Sequence, residues 1–159
     1  MKELITKFYE SFANLDAETM AECYHTDVVF EDPAFGKLEK EKVGNMWRML
    51  CDSQRGKGMH ISFGGVEATE NTGKANWQAV YTFSKTGRYV NNKITAYFEF
   101  KDGLIIKHTD VFNLYRWSQQ ALGIPGYIIG WTPSFKTKLN AQTNSMLEKW
   151  ESKNNKKDS

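Results

Sequence analysis

Cysteine and proline are scarce in this chain: two and three residues among 159. Two cysteines can close at most one bridge, which excludes a disulfide framework as the source of stability. Cys23 and Cys51 fall on apolar faces of predicted helices, so both are expected as reduced core thiols in a cytoplasmic protein. No uninterrupted apolar run approaches the length that spans a bilayer. The opening stretch MKELITKFYESF mixes charge into its apolar pattern and does not read as a signal peptide. A dominant charge of one sign is missing too. The net charge is +2, and the stretch 149–159 accounts for it with four lysines against two acids. The body is therefore near neutral, and nucleic acid is not expected as a partner. The three histidines and two cysteines have no metal-ligand spacing. No phosphate loop, dinucleotide fingerprint or nucleophile elbow occurs, and the glycines of GMHISFGG lack both the spacing and the following helix. Neither a metal nor a cofactor is expected.

What is present is aromatic: 14% of residues, enough for a bulky apolar interior in a single domain. Leu4, Ile5, Phe8, Tyr9, Phe12 and Leu15 recur at helical spacing. Asp16 is a candidate N-cap for a short second helix carrying Met20, Cys23 and Tyr24 inward. A third helix, from about Glu39 to Cys51, places Val43, Met46, Trp47 and Leu50 on one stripe. Residues 59 to 113 read as four strands joined by turns at Asn71–Gly73, Lys85–Gly87 and Lys101–Gly103, hence an antiparallel meander. Alternation puts Ala75, Trp77, Ala79, Tyr81 and Phe83 on one face of the second strand. Ile94, Ala96, Phe98 and Phe100 share a face of the third, and Leu104, Ile106, His108, Asp110 and Phe112 a face of the fourth. NLYRWSQQALG is a helix ending at Gly123, IPGYIIGWTP an apolar turn, and a last helix carries Phe135, Leu139, Gln142, Met146 and Trp150 on one stripe. Helices packed on one face of an antiparallel sheet make an α+β domain.

The stretch VVFEDPAFG poses the chemical question. In a strand over Val28–Asp32, Asp32 shares the face of Phe30, so a carboxylate lies on an apolar face. It either caps the turn at Pro33 by accepting backbone amides, or serves as a base whose pKa is raised by lost hydration. His108 and Asp110 interrupt an apolar row and are expected as a partnered pair, the aspartate orienting a histidine that shuttles a proton. Tyr9 is a core phenol or a hydrogen-bond donor. Trp47, Trp77 and Tyr81 read as pocket wall or core, and His25 and His60 as structural.

The segment AECYHTDVVFEDPAFG, the order of helices and the long meander resemble the nuclear transport factor 2-like superfamily over about Lys2 to Asn113. HTDVFNLYRWSQQALG followed by GWTP is similar to bacterial members with a SnoaL-like domain. The resemblance implies a cone, a curved antiparallel sheet wrapped around the N-terminal helices with an internal pocket. Residues 1–113 would form the cone, 114–152 a C-terminal helical extension and 153–159 a disordered tail. In ketosteroid isomerases the general base is the aspartate that Asp32 matches, and the phenolic donor falls at Tyr9. The position of the second oxyanion donor is occupied here by Ala96. Limonene epoxide hydrolase needs a pocket arginine that no inward position supplies. His108 and Asp110 are similar to the polar groups of scytalone dehydratase and of SnoaL-like cyclases. The resemblance makes Asp32, His108, Asp110 and Tyr9 the catalytic candidates, with Phe30, Phe35, Trp47, Trp77, Tyr81, Ala96 and Phe112 around a ligand.

Three functions fit: a cofactor-free isomerase, dehydratase or cyclase acting on a small apolar molecule; a non-catalytic carrier of such a molecule; and a dimeric or membrane-peripheral interaction module. A homodimer through the outer sheet face, with Tyr89, Thr95 and Tyr97, is expected from the resemblance. The segment Gly123–Trp150 is expected to act as a lid or partner surface outside the cone, packing over the helices that close the pocket or making a dimer contact. Lys136 and Lys138 beside its apolar turn would also suit an anionic membrane surface.

Overall fold

The apolar stripe beginning at Leu4 forms α1 (Lys2–Ala13), with Ile5, Phe8 and Tyr9 wholly buried. Leu15 leaves the helix at a positive φ of 55°. Asp16 accepts from the Thr19 amide at 3.1 Å and from its hydroxyl at 2.6 Å, which is the capping expected for α2 (Ala17–Glu22). This computed structural model describes residues 1–155.

β1 (Tyr24–Asp32) turns at Pro33–Phe35 into β2 (Gly36–Glu39), a short strand that the sequence pattern does not separate from the turn. α3 (Glu41–Gln54) buries Val43, Met46 and Trp47 as its spacing requires. The meander follows: β3 (His60–Ala68), β4 (Thr72–Phe83), β5 (Arg88–Lys101) and β6 (Leu104–Val111). Asp102 and Gly103 both have positive φ, 52° and 76°, the geometry that a two-residue hairpin turn needs. The sheet order is β2-β1-β6-β5-β4-β3. β1 lies parallel to β6, and the other neighbouring pairs are antiparallel. N-terminal helices on one side of the sheet give the α+β class that the pattern predicts and the cone that the resemblance implies; the parallel β1–β6 pair makes the sheet mixed where an antiparallel one was expected.

Strand parity holds in β4 and β5 and fails at the start of β6. Glu99 pairs with Lys107 but Phe100 pairs with Ile105, so Ile106 is an extra residue on β6. The bulge flips the alternation, and Ile105, not Ile106, is the wholly buried residue below His108.

Asn113 caps α4 (Leu114–Leu122), accepting from the Arg116 amide at 2.9 Å. The apolar turn expected at IPGYIIGWTP is a further short helix, α5 (Ile124–Ile129). α6 (Pro133–Asn155) then runs back along the cone, continuing three residues past 152 into the stretch expected as a tail; residues 156–159 of that stretch lie outside the described residues. Its packing face is rotated from the expected stripe. Leu147 is the buried residue, Met146 and Gln142 are exposed, and Phe135, Leu139 and Trp150 are half-buried. The reason is polar: Asn140, Thr143 and Asn144 turn toward the Pro33–Phe35 turn and hydrogen-bond its carbonyls.

α5 is held against α4 by close approach. A methyl at Gly126 would collide with the Ser118 carbonyl, and one at Gly130 with the Ser118 hydroxyl, which itself donates to Gly126 O at 3.1 Å. Gly126→Ala should therefore cost about 2 kcal/mol of stability through overpacking. Urea unfolding checks this, and an unchanged midpoint would contradict the α4–α5 contact.

Candidate active site

Tyr24 begins β1, Trp47 lies mid-α3, Trp77 on β4, and His108 and Asp110 on β6; the fold brings these five into one buried chain. Trp47 Nε1 donates to Tyr24 Oη at 2.9 Å, and Tyr24 Oη lies 2.7 Å from His108 Nδ1. His108 Nε2 lies 3.0 Å from Asp110 Oδ1, which also receives Trp77 Nε1 at 3.2 Å. Indole nitrogens only donate, so the directions follow. Tyr24 has accepted from Trp47 and gives its own proton to Nδ1, so Nε2 carries the histidine proton and gives it to Asp110. Every group is satisfied with a neutral imidazole. His108 is 0% exposed and Asp110 4%. Phe98, Phe30 and Phe8 surround the imidazole, with ring centroids 4.4, 5.2 and 5.5 Å away.

Asp32 is not hydrogen-bonded into this chain but lies close enough to feel the charge of Asp110. The parallel register pairs Phe30 with His108 and Glu31 with Thr109, and the next residues along the two strands are Asp32 and Asp110. Both readings of this residue are seen at once. It caps the turn, its Oδ1 accepting from the amides of Ala34 and Phe35. Burial nonetheless pushes its carboxyl up to about 7, with the negative Asp110 adding to the shift and the turn amides opposing it. On the other side of Asp110 the register places Ala96 and then Ala75, two small side chains.

Tyr9 is wholly buried, stacked on Phe63 at 5.4 Å, and its hydroxyl has no partner among the described residues. Burial, then the charge of Asp110, raises the phenol well above its usual value, so Tyr9 keeps its proton and can only offer it as a hydrogen bond. Phe30, Phe35 and Ala96 are buried close to these groups. Phe112 sits apart, in a second cluster under α4 and α6, and Tyr81 packs against both that cluster and the main core, with Trp117 Nε1 donating to Tyr81 Oη at 2.8 Å. Tyr24 is the residue that the sequence pattern assigned to helix packing alone. Alternation could not have placed it in the hydrogen-bonded chain, because the register of β1 against β6 shifts between Tyr24 and Val29 and Thr26 between them is exposed.

The Asp32 turn is strapped by α6. Asn140 Nδ2 donates to Pro33 O at 2.9 Å and to Ala34 O at 2.6 Å, Thr143 Oγ1 to Ala34 O at 2.9 Å, and Asn144 Nδ2 to Phe35 O at 2.8 Å. At the far end of α6, Trp150 Nε1 donates to Asp52 on α3 at 3.2 Å. Three surface concavities of about 670, 430 and 390 Å³ open elsewhere, and none includes Asp32, His108 or Asp110.

Two outcomes are expected. The folded Asp32 carboxyl holds its proton more tightly than the unfolded one, whose pKa is about 3.9. Stability thus falls as pH rises from about 4 through about 7. Asp32→Asn, which keeps the turn acceptor, should remove that slope and be more stable than wild type by up to about 4 kcal/mol at pH 8 and equal at pH 4; urea titrations at both pH values decide. The double variant Asn140→Ala, Asn144→Ala should lose about 2 kcal/mol and, by loosening the turn, bring the Asp32 midpoint down from about 7. Carbon-detected NMR reads that midpoint, and an unmoved value would mean that α6 does not govern Asp32 burial.

The SnoaL-like domain family matches residues 5–108. No curated protein matches. Among solved structures, TerC co-crystallised with polyporic acid is 16% identical with a TM-score of 0.62, the alignment covering 75% of this chain and 95% of that one. A protein of ketosteroid isomerase-like fold from Catenulispora acidiphila, in complex with trimethylamine, is 12% identical with a TM-score of 0.63, covering 82% and 98%. An LEH-like epoxide hydrolase of M. tuberculosis is 18% identical with a TM-score of 0.59, covering 80% and 93%. At these identities the structures share the fold alone. The family match spans α1 through His108, and with it this chain belongs to the SnoaL-like domain family.

Proposed function

We propose that the protein binds a small apolar carbonyl or polyketide-like compound inside the cone and acts on it as a cofactor-free isomerase, dehydratase or cyclase, with Asp32 as the general base. The observation that carries this reading is a carboxyl raised to about 7 by burial and by the charge of Asp110, a member of a buried hydrogen-bonded chain. A base of that pKa is half ionised at neutral pH and strong enough to take a proton from carbon next to a carbonyl. The electron pair left behind moves to the carbonyl oxygen, where the unpartnered Tyr9 hydroxyl donates to the developing charge. Asp32 then returns the proton at a second carbon, or a leaving group departs. Ala96 brings no second donor, so one phenol stabilises the oxygen in this scheme. His108 and Asp110 are positioning and electrostatic groups: the Asp110 charge raises the Asp32 carboxyl, and His108 fixes Asp110 in place. Asp32 is only partly buried while His108 is sealed, so the ligand is taken to enter from the Asp32 side, under the α6 strap.

A binding-only reading is favoured by one observation: both nitrogens of His108 are already engaged within the protein. The two readings separate by experiment. Native mass spectrometry of the freshly purified protein identifies a co-purified small molecule, and NMR follows the Asp32 carboxyl through pH. The enzyme reading expects a midpoint near 7, turnover of the compound that rises through that pH, and an Asp32→Asn variant that binds but does not convert. A midpoint near 4, or full turnover by the Asn variant, would overturn the base assignment. Binding without conversion by wild type would leave the carrier.

A further inference from the structure

α5 is built inside out. The side facing α4 is made of glycine, with Gly126 and Gly130 against Ser118. The opposite face carries Ile124, Tyr127, Ile128 and Trp131, spaced i, i+3, i+4, i+7 along the helix and the turn that follows. Their exposures are 76, 59, 64 and 67%, and Ile129 beside them is 46% exposed. A run of large apolar side chains of this kind is not left in water by a domain that buries its other apolar stripes.

The stretch of chain that carries the patch has charge of one sign. No aspartate or glutamate occurs from Val111 to Leu147, while Arg116, Lys136 and Lys138 lie in that span and are exposed. The β4–β5 hairpin adds Lys85 and Arg88 beside the end of α4, where Thr86 Oγ1 donates to Ala121 O and Arg88 Nε to Gln120 O at 2.8 Å. Tyr115 Oη donates to Tyr127 O at 3.2 Å, tying the patch to α4.

We propose that the α5 face is a docking surface for an anionic lipid bilayer. Isoleucines with a tyrosine and a tryptophan suit the boundary between acyl chains and headgroups, and the surrounding cations suit its negative surface. No helix of the described residues is long and apolar enough to cross a membrane, so the contact is an interfacial one. A second copy of this chain fits less well. A two-fold contact through α5 would bring the cations of one copy against those of the other, with no acid in the span to offset them.

The test uses the full chain and sucrose-loaded vesicles, either phosphatidylcholine alone or phosphatidylcholine with about 30% phosphatidylserine. Sedimentation should show partitioning at least about tenfold greater onto the anionic vesicles, weakened by salt. Ile128→Asp and Trp131→Ala should each reduce it about tenfold, with thermal melting unchanged because both side chains are on the surface. The pair Lys136→Glu, Lys138→Glu should abolish the preference for phosphatidylserine, and it carries the test by itself if Ile128→Asp does not fold. Equal, negligible sedimentation with both vesicle types would overturn the proposal. So would a light-scattering mass that drops on Ile128→Asp in a protein that ignores vesicles, which would assign the patch to a protein partner.

Discussion

A single imidazole, buried among three phenylalanines, sets the terms for the rest of the molecule. A histidine with no access to water must have both ring nitrogens satisfied by protein. Here that need recruits Tyr24 from β1 and Asp110 from β6, and each of these is completed by an indole, Trp47 from α3 and Trp77 from β4. One chain of hydrogen bonds thus ties four elements together and fixes where the helical layer sits on the sheet. Because both ends are donors only, the chain has one self-consistent proton arrangement.

The same requirement shapes the neighbouring carboxylates. Asp110 is stabilised by two donors inside the protein, whereas Asp32 has turn amides on one oxygen and apolar surroundings. Two neighbouring acids are therefore held in different environments, and burial pushes the Asp32 carboxyl up to about 7. The strap from α6 belongs to this arrangement. Its asparagines satisfy the carbonyls of the turn whose amides hold Asp32, so both polar edges of one short turn are occupied.

The family match ends at His108, and the α4–α6 extension lies beyond it. Its two halves do different things. α6 packs back on the cone through amide side chains and Leu147, while α5 turns its apolar face outward because glycine is the residue that fits against Ser118. A rule that apolar residues face the core would have placed α5 the other way round.

Periodicity in the sequence was enough for the first helix, the capped second helix, the meander and the burial of Cys23 and Cys51, because each depends on residues a few positions apart. Parity also put Asp32, His108 and Asp110 on inward faces, and the segment around Asp32 carried the resemblance to the family. What alternation could not show was the extra residue at Ile106, since a bulge is set by the pairing of two strands and not by either alone. Nor could it show that β1 lies parallel to β6, which is what brings Asp32 close enough to feel the charge of Asp110, or that Tyr24 and Trp47 complete the histidine. The face α6 presents was likewise decided by a polar partner more than a hundred residues away in sequence, at the Asp32 turn. Local pattern determined which residues go inside; long-range pairing decided which of them meet, because hydrogen-bond partners distant in sequence leave no period to read.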